Sequence, residues 1–301
     1  MPVTPTVKRT GEIEEPTNRW LIHPLSRALV TPLARWGVSP NAVSLAGLAL
    51  GAGAAWAYYG YADPANVLLG FVLMIGWHVM DGADGQLARL TGKTSEIGKI
   101  LDGFCDHGTF VLVYLSLAAA ASNVHGAWVW GLAVLAGASH AVQANVYETQ
   151  RHTYDLWVHG KESARVPTPD EVRRQSEGAR GFAWVLGKLN LLYVTVQERT
   201  TRGSAALRQA LESARAEPGG AESVREAYRA THLAGVKRWN GLCSNYRTVA
   251  IALSCLLGTP LYFFVFEAVV LNALFAVLLA MTRRNDRALL ERVGAREVAA
   301  G

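Results

Sequence analysis

The sequence predicts an all-α integral membrane protein with six transmembrane helices in three hairpins. Half of the 301 residues are hydrophobic and only 18% are charged, whereas about a quarter of the residues in a soluble domain are charged. Lys and Arg are absent from three long stretches, 36–88, 100–150 and 248–282. A bilayer core takes about 20 helical residues, so each stretch has room for two spans.

Turn residues lie near the middle of each stretch, in "YGYADP" (59–64), "ASNVHG" (121–126) and "GTPL" (258–261). The predicted spans are therefore 41–60, 65–89, 98–121, 126–148, 243–258 and 261–282. Because no hairpin tip carries Lys or Arg, the positive-inside rule places both termini and the remaining loops in the cytoplasm. The expected localisation is the plasma (inner) membrane, and no cleavable signal peptide is expected.

An amphipathic helix that lies in the membrane interface is predicted for residues 18–37. The segment "NRWLIHPLSRALVTPLARWG" spaces large apolar side chains against Arg19, Arg27 and Arg35. Pro24 and Pro32 are expected to break it into short pieces, because proline removes a helical hydrogen bond.

A long helical insertion is predicted between the fourth and fifth spans. Within it, 181–199 indicates an interfacial or packed helix, although a seventh span stays open, and two amphipathic helices flank "EPGG". The predicted regions are the cytoplasmic N-terminus with the interfacial helix (1–40), spans one to four (41–149), the cytoplasmic insertion (150–242), spans five and six (243–283) and a cytoplasmic tail (284–301).

The net charge of +5 does not indicate a nucleic-acid partner. The basic residues form no single patch with interleaved aromatic residues, and they lie at the ends of hydrophobic stretches, which is typical of contact with membrane lipids. The three cysteines lack the spacing of metal ligands and are expected to be small core residues.

Four aspartates interrupt the apolar pattern in "VMDGADGQLARLTGKTSEIGKILDGFCDHG" (79–108). Asp81 and Asp84 are three residues apart and Asp102 and Asp106 are four apart, so each pair shares one face of a helix. A short connector makes the two helices antiparallel neighbours whose acidic faces can meet. A charge deep in a bilayer costs about 2.5–3.5 kcal/mol on insertion scales, and a divalent cation, Mg²⁺ or Mn²⁺, would offset this cost and the mutual repulsion.

The residues beside these acids suit a phosphate ligand. Gly85 and Ala88 leave space for a ligand against the helix backbone, and the Arg89 guanidinium can bind phosphate through two donors. Together with the aspartates they predict a metal-dependent pyrophosphate site at the cytoplasmic membrane face.

This pattern resembles the signature of the CDP-alcohol phosphotransferase (phosphatidyltransferase) family. Asp81-Gly-Ala-Asp84-Gly85-Gln-Leu-Ala88-Arg89 is followed after eight residues by Gly98, and then by Asp102 and Asp106 at that family's spacing. The entry to the first span, "SPNAVSLAGL" (39–48), is also similar to that family.

The resemblance implies an activity, a cofactor and roles for these residues. The four aspartates would hold one or two Mg²⁺ or Mn²⁺ ions, and Gly85, Ala88 and Arg89 would line the site of the CDP-alcohol donor. Asp106 would be the general base that activates the hydroxyl of the acceptor alcohol, with release of CMP. The family is also usually homodimeric.

Other residues are possible site residues with equally ordinary structural alternatives. Gly98 would allow close approach or simply open a helix, and Asn41 and Ser44 would reach the nucleotide or cap the first span. Lys93, Arg151 and Arg247 would bind phosphate groups or anchor the chain at the membrane surface. His78 and His107 are each expected to be a hydrogen-bonded core histidine. Glu267 is expected to lie in the membrane interface.

Several functions stay open at this point. The favoured activity is transfer from CDP-diacylglycerol to a small alcohol in phospholipid biosynthesis, and the alternative is a small CDP-alcohol donor with a lipid acceptor. A membrane prenyltransferase also sets Mg²⁺ on aspartate-rich helices, but it needs no Ala-Arg pair followed by this glycine. An ion transporter would place its carboxylates near mid-span, whereas these aspartates lie at the predicted cytoplasmic ends.

Overall fold

The structure is a computed structural model that describes residues 11–94, 96–200 and 204–300. Every regular element in these ranges is helical. The α-helices are α1 (His23–Arg35), α2 (Pro40–Tyr59), α3 (Pro64–Thr91), α4 (Glu96–His125), α5 (Trp128–His159), α6 (Pro169–Gln175), α7 (Phe182–Thr200), α8 (Ser204–Ala216), α9 (Gly220–Trp239), α10 (Ser244–Leu256), α11 (Leu261–Val265) and α12 (Asn272–Ala300).

Two compact units divide the chain. The first contains the described residues up to Ala141 together with Cys243–Leu271, and the second contains Val142–Leu242 together with the described residues from Asn272 onward. The second unit therefore includes the predicted insertion and also the C-terminal part of α5 and all of α12. Both of these helices continue beyond the apolar stretches that defined the predicted spans, and the predicted regions stay a prediction.

Four helices within the described residues are long and apolar enough to cross a membrane. They are Pro40–Tyr59, Pro64–Thr91, Leu101–His125 and Leu261–Val293, which correspond to predicted spans one, two, three and six. The predicted fifth span forms α10, whose 13 residues extend only about 20 Å, and the predicted fourth span lies in α5, which carries several polar residues. The six-span arrangement stays a prediction.

Local sequence explains where the first two long helices begin and end. The Ser39 hydroxyl caps α2 by accepting a hydrogen bond from the Ala42 amide at 3.2 Å, and the Asp63 carboxylate caps α3 by accepting one from the Ala65 amide at 2.9 Å. In both helices proline follows the cap, where its missing N–H costs nothing. Helix α3 ends at Gly92, which has the positive φ of 68° that glycine adopts readily.

Helices α2, α3 and α4 pack closely in the first unit. The α2 and α3 axes run antiparallel, since Gly47 lies opposite Met80 and Tyr58 lies opposite Gly70. A Cβ atom at Gly51 would lie 2.5 Å from the Thr109 side chain, so only glycine permits this approach of α2 to α4. This tight packing sets the position of the α3 segment that carries the first two aspartates.

Helix α1 differs from its prediction in one respect. Pro24 lies in the first turn, as a helix tolerates, but Pro32 lies inside a continuous α-helix and does not break it. The Ser26 hydroxyl packs on α3 and donates to the Val79 carbonyl at 2.8 Å, and a Cβ atom at Gly82 would lie 2.6 Å from the Ser26 oxygen. Contact with α3 compensates for the one hydrogen bond that Pro32 removes.

The second unit contains the predicted amphipathic helices as α8 and α9. Its helix α7 corresponds to the segment left open between an interfacial helix, a packed helix and a span, and it packs against α5. The Asn145 side chain donates to the Tyr193 carbonyl at 2.9 Å, and the Gln197 amide donates to the Thr149 hydroxyl at 2.6 Å. These contacts show α7 as a packed helix of this unit.

Candidate functional site

Three of the four predicted aspartates come together at one place in the first unit. Asp81 on α3 and Asp102 and Asp106 on α4 are each partly buried, and they offer carboxylate oxygens that all lie within 4.8 Å of one another. The two helices are antiparallel, because Trp77, before the first aspartate, packs edge-on against Phe110, after the last, with ring centroids 5.3 Å apart. The prediction that neighbouring helices bring their acidic faces together therefore matches the geometry.

Asp84 occupies a different environment. Its side chain is buried, and its carboxylate accepts a short hydrogen bond from the Ser44 hydroxyl on α2. Ser44 is thus a partner of the motif and not a helix cap, because Ser39 caps α2. Asn41, the other residue proposed from the entry to the first span, is exposed.

The basic and small residues of the motif lie along the C-terminal turns of α3. A Cβ atom at Gly85 would lie 3.3 Å from the Arg89 Nη1 atom, so the guanidinium folds back over the glycine one turn earlier. Ala88 is partly buried, whereas Arg89 and Lys93 are exposed. Gly98 lies in the first turn of α4, which begins at Glu96. This position agrees with the prediction that Gly98 lies at the start of the third span.

The two arginines proposed outside the motif are both engaged with carboxylates. Arg247 is 1% exposed and pairs with the fully buried Glu267, with Nε–Oε2 and Nη2–Oε1 distances of 2.9 and 3.1 Å. The expectation that Glu267 is interfacial is therefore wrong, because the ion pair holds it inside the first unit. Arg151 contacts Glu148 at 2.9 Å, and the charge of Glu148 raises the pKa of this guanidinium despite burial.

Two buried histidines belong to the same polar interior of the first unit. The His78 Nε2 atom lies 2.9 Å from the Thr248 hydroxyl, and the His140 Nδ1 atom lies 3.2 Å from the Tyr114 hydroxyl, which also lies 3.5 Å from Glu267. His78 is a hydrogen-bonded core histidine, as predicted. His107 is exposed and contacts the Gly103 carbonyl at 2.8 Å, so that its prediction as a core residue is wrong.

Sequence analysis missed the partners of the motif and of the buried charges. The pairing of Ser44 with Asp84 joins residues 40 positions apart, and no local pattern indicates it. A signal did exist for the second case: Glu267 lies within a strongly apolar stretch, and an ionisable residue in such a stretch usually has a buried partner.

The aspartate cluster has the chemistry of a divalent-metal site. Three carboxylates within 4.8 Å of one another repel each other, and hard oxygen donors are the ligands that Mg²⁺ and Mn²⁺ prefer. Partial burial strengthens both the repulsion and the attraction of a cation, since water screens the charges less. The donor set therefore fits a divalent cation.

Four described helices of membrane-spanning length and a cluster of carboxylates together indicate a membrane protein with a candidate metal site. The model of the CDP-alcohol phosphatidyltransferase family matches residues 37–163. This match covers the part of the chain that carries the aspartate motif, and it agrees with the family that the motif predicts. Comparison with curated proteins and with solved structures found no match. The matched family implies transfer of a phosphatidyl group from a CDP-alcohol to an alcohol.

Proposed function

We propose that this protein transfers the substituted phosphate of CDP-diacylglycerol to the hydroxyl group of a small acceptor alcohol, with release of CMP, in phospholipid biosynthesis. The observation that carries the proposal is the meeting of Asp81, Asp102 and Asp106 on two antiparallel helices. These residues belong to the segment 37–163 that matches the family.

We assign Asp81, Asp84, Asp102 and Asp106 to the binding of Mg²⁺ or Mn²⁺. A bound divalent cation would supply Lewis-acid stabilisation of the negative charge on the donor's pyrophosphate. Asp84 would take part through an orientation set by Ser44, whose hydroxyl donates to it. A hydrogen bond of this kind holds a carboxylate in one rotamer, which is what a ligand with defined geometry needs.

The donor would lie along the C-terminal turns of α3. Gly85 and Ala88 leave its backbone accessible, and Arg89 would turn from its position over Gly85 towards the phosphates, where two guanidinium donors can bind phosphate oxygens. The exposed Lys93 would add positive charge beside them. The site would face the cytoplasm, where water-soluble acceptors and CMP exchange.

Asp106 would act on the acceptor. Its carboxylate would take the proton from the acceptor hydroxyl, whose oxygen then forms a bond to the β-phosphorus of the donor. The bond between this phosphorus and the bridging oxygen breaks, and the electron pair leaves with CMP. A general base of this kind contributes a factor of about 10²–10⁴ in rate.

The remaining structural assignments belong to this proposal. The exposed apolar face of the N-terminal helix, with Trp20 75% and Trp36 76% exposed, supports a location in the cytoplasmic membrane interface beside Arg19, Arg27 and Arg35. We also propose six spans, both termini in the cytoplasm of a plasma (inner) membrane protein, and a homodimer.

The decisive experiment measures CMP release by the purified protein with Mn²⁺ or Mg²⁺, CDP-diacylglycerol and a set of acceptor alcohols. Asp106→Asn should lower kcat by at least about 10²-fold while the donor still binds through the other three aspartates, whereas Arg89→Ala should weaken donor binding. Asp155→Asn, a change of the same type in the second unit, is the control. Full turnover in Asp106→Asn would refute the base assignment, and turnover of only small CDP-alcohols would refute the donor.

A further inference from the structure

A cavity of about 320 Å³ lies within the second compact unit. Its lining comes from α5, α7, α8, α9 and α12 and from residues 166–169, which lead into α6. The volume lies in the range of about 300–1,000 Å³ that is typical of small-molecule pockets. All lining residues belong to the second unit, whereas the four aspartates belong to the first.

The inner wall of this cavity is apolar and partly aromatic. Five apolar or aromatic side chains of the lining are less than a tenth exposed, namely Trp157, Val194, Leu207, Leu211 and Tyr228. Two of them carry flat rings. Such a wall favours a ligand with a flat apolar face, because aromatic side chains contribute a large contact area.

The amide of Gln150 is a polar group of the lining that has no partner among the described residues. The Gln150 side chain is 7% exposed and lines the cavity, and it forms no hydrogen bond with any residue that the structure describes. Its neighbour Thr149 is satisfied, since its hydroxyl accepts from Gln197 at 2.6 Å and donates to the Asn145 carbonyl at 2.8 Å. Because this amide lines the cavity and no described residue occupies it, a ligand in the cavity can pair with both its donor and its acceptor.

The charges of the lining do not favour an anion. Two basic residues, Arg208 and Arg283, are matched by three acidic residues, Glu198, Glu212 and Asp286. Asp286 also contacts the buried His232 at 3.0 Å. Since no excess of positive charge faces the cavity, phosphate and carboxylate ligands have no counter-charge there.

We propose that this cavity binds a small uncharged molecule that carries a flat apolar face and, at its edge, an adjacent hydrogen-bond donor and acceptor. The side chain of Gln150 has both a carbonyl acceptor and an NH₂ donor, so the complementary edge of an amide or of a similar planar group would satisfy it. The apolar face would pack against Trp157 and Tyr228. This site is separate from the transferase chemistry proposed for the aspartates and does not depend on it.

Benzamide is the probe that tests this assignment, because it has the predicted ring and amide edge. Binding is measured by saturation-transfer NMR on the full-length protein in detergent micelles. Gln150→Leu should weaken benzamide binding at least about tenfold, as expected for the loss of paired hydrogen bonds. Gln209→Leu makes the same change at an exposed position of the lining and should leave binding unchanged.

Two further comparisons keep the proposal testable if Gln150→Leu unfolds. Thr153→Phe should fill part of the cavity and abolish binding while Gln150 remains. Benzoate, which has the same shape with a negative charge, and toluene, which lacks the polar edge, should bind at least about tenfold more weakly. Equal benzamide binding by the wild type and Thr153→Phe, equal binding of benzoate, or no binding of benzamide to the wild type would overturn the assignment.

Discussion

The buried pair of Arg247 and Glu267 allows a quantitative prediction. The two side chains are 1% and 0% exposed and share two hydrogen bonds of 2.9 and 3.1 Å. Arg247→Met removes one partner and leaves a carboxylate in the interior of the first unit. Loss of one member of a buried pair costs about 3–5 kcal/mol, since the remaining charge keeps its desolvation penalty without its attraction.

The expected consequence is a large fall in thermal stability. One kcal/mol corresponds to roughly 2–4 °C in the unfolding midpoint of a chain of this order of size, so the midpoint of Arg247→Met in detergent should fall by on the order of 10 °C. The assay is thermal unfolding of the purified protein followed by tryptophan fluorescence.

A matched control separates burial from the mere presence of an ion pair. Arg165 contacts Glu171 at the same distance of 2.9 Å, but the two side chains are 54% and 27% exposed. Arg165→Met should therefore cost less than about 1 kcal/mol. The double variant Arg247→Met, Glu267→Leu should recover most of the lost stability, because no unpaired charge remains. Equal midpoints for Arg247→Met and Arg165→Met would refute the reasoning.

Three further predictions follow from other contacts of the first unit. Ser44→Ala removes the hydrogen bond to Asp84 and should raise the Mn²⁺ concentration needed for half-maximal activity. Ser39→Ala removes only a helix cap and should leave this concentration unchanged. Equal Mn²⁺ dependence of the two variants would contradict the role of Ser44. Gly51→Ala places a Cβ atom 2.5 Å from Thr109 and should lower the unfolding midpoint by an amount equivalent to about 1–3 kcal/mol, while Gly53→Ala, with its nearest contact at 3.4 Å, should not lower it. Burial opposes ionisation of Glu15, but hydrogen bonds from Thr17 and Asn18 outweigh it and lower the pKa of Glu15 below 4.5. The ionised Glu15 therefore stabilises the fold above pH 4.5, and this stabilisation is lost as the pH falls through the lowered pKa of the folded protein. Glu15→Gln should thus destabilise the protein at pH 7 and lose less stability than the wild type on acidification; a parallel loss in both proteins would exclude Glu15 as the cause.

Helical geometry explains why much of the candidate site could be predicted. Residues three or four positions apart share a helix face whatever surrounds them, so the spacing of Asp102 and Asp106 already determined that their carboxylates lie together. The short connector after Gly92 made α3 and α4 neighbours, and this brought Asp81 to the same place. The absence of Lys and Arg over long stretches likewise determined where apolar helices lie.

Tertiary packing decided what spacing along the chain cannot. The hydrogen bond between Ser44 and Asp84 depends on how closely α2 approaches α3. The ion pair of Arg247 with Glu267 depends on two helices meeting in the interior. Pro32 lies in an unbroken helix because contacts with α3 support α1. The sequence by itself determined the helices, the aspartate spacing and the resemblance to the family that matches residues 37–163. Only the tertiary structure decided which polar groups meet, because a buried polar group takes its partner from whichever helix packs beside it, and that choice is settled by the shape and burial of many distant side chains together.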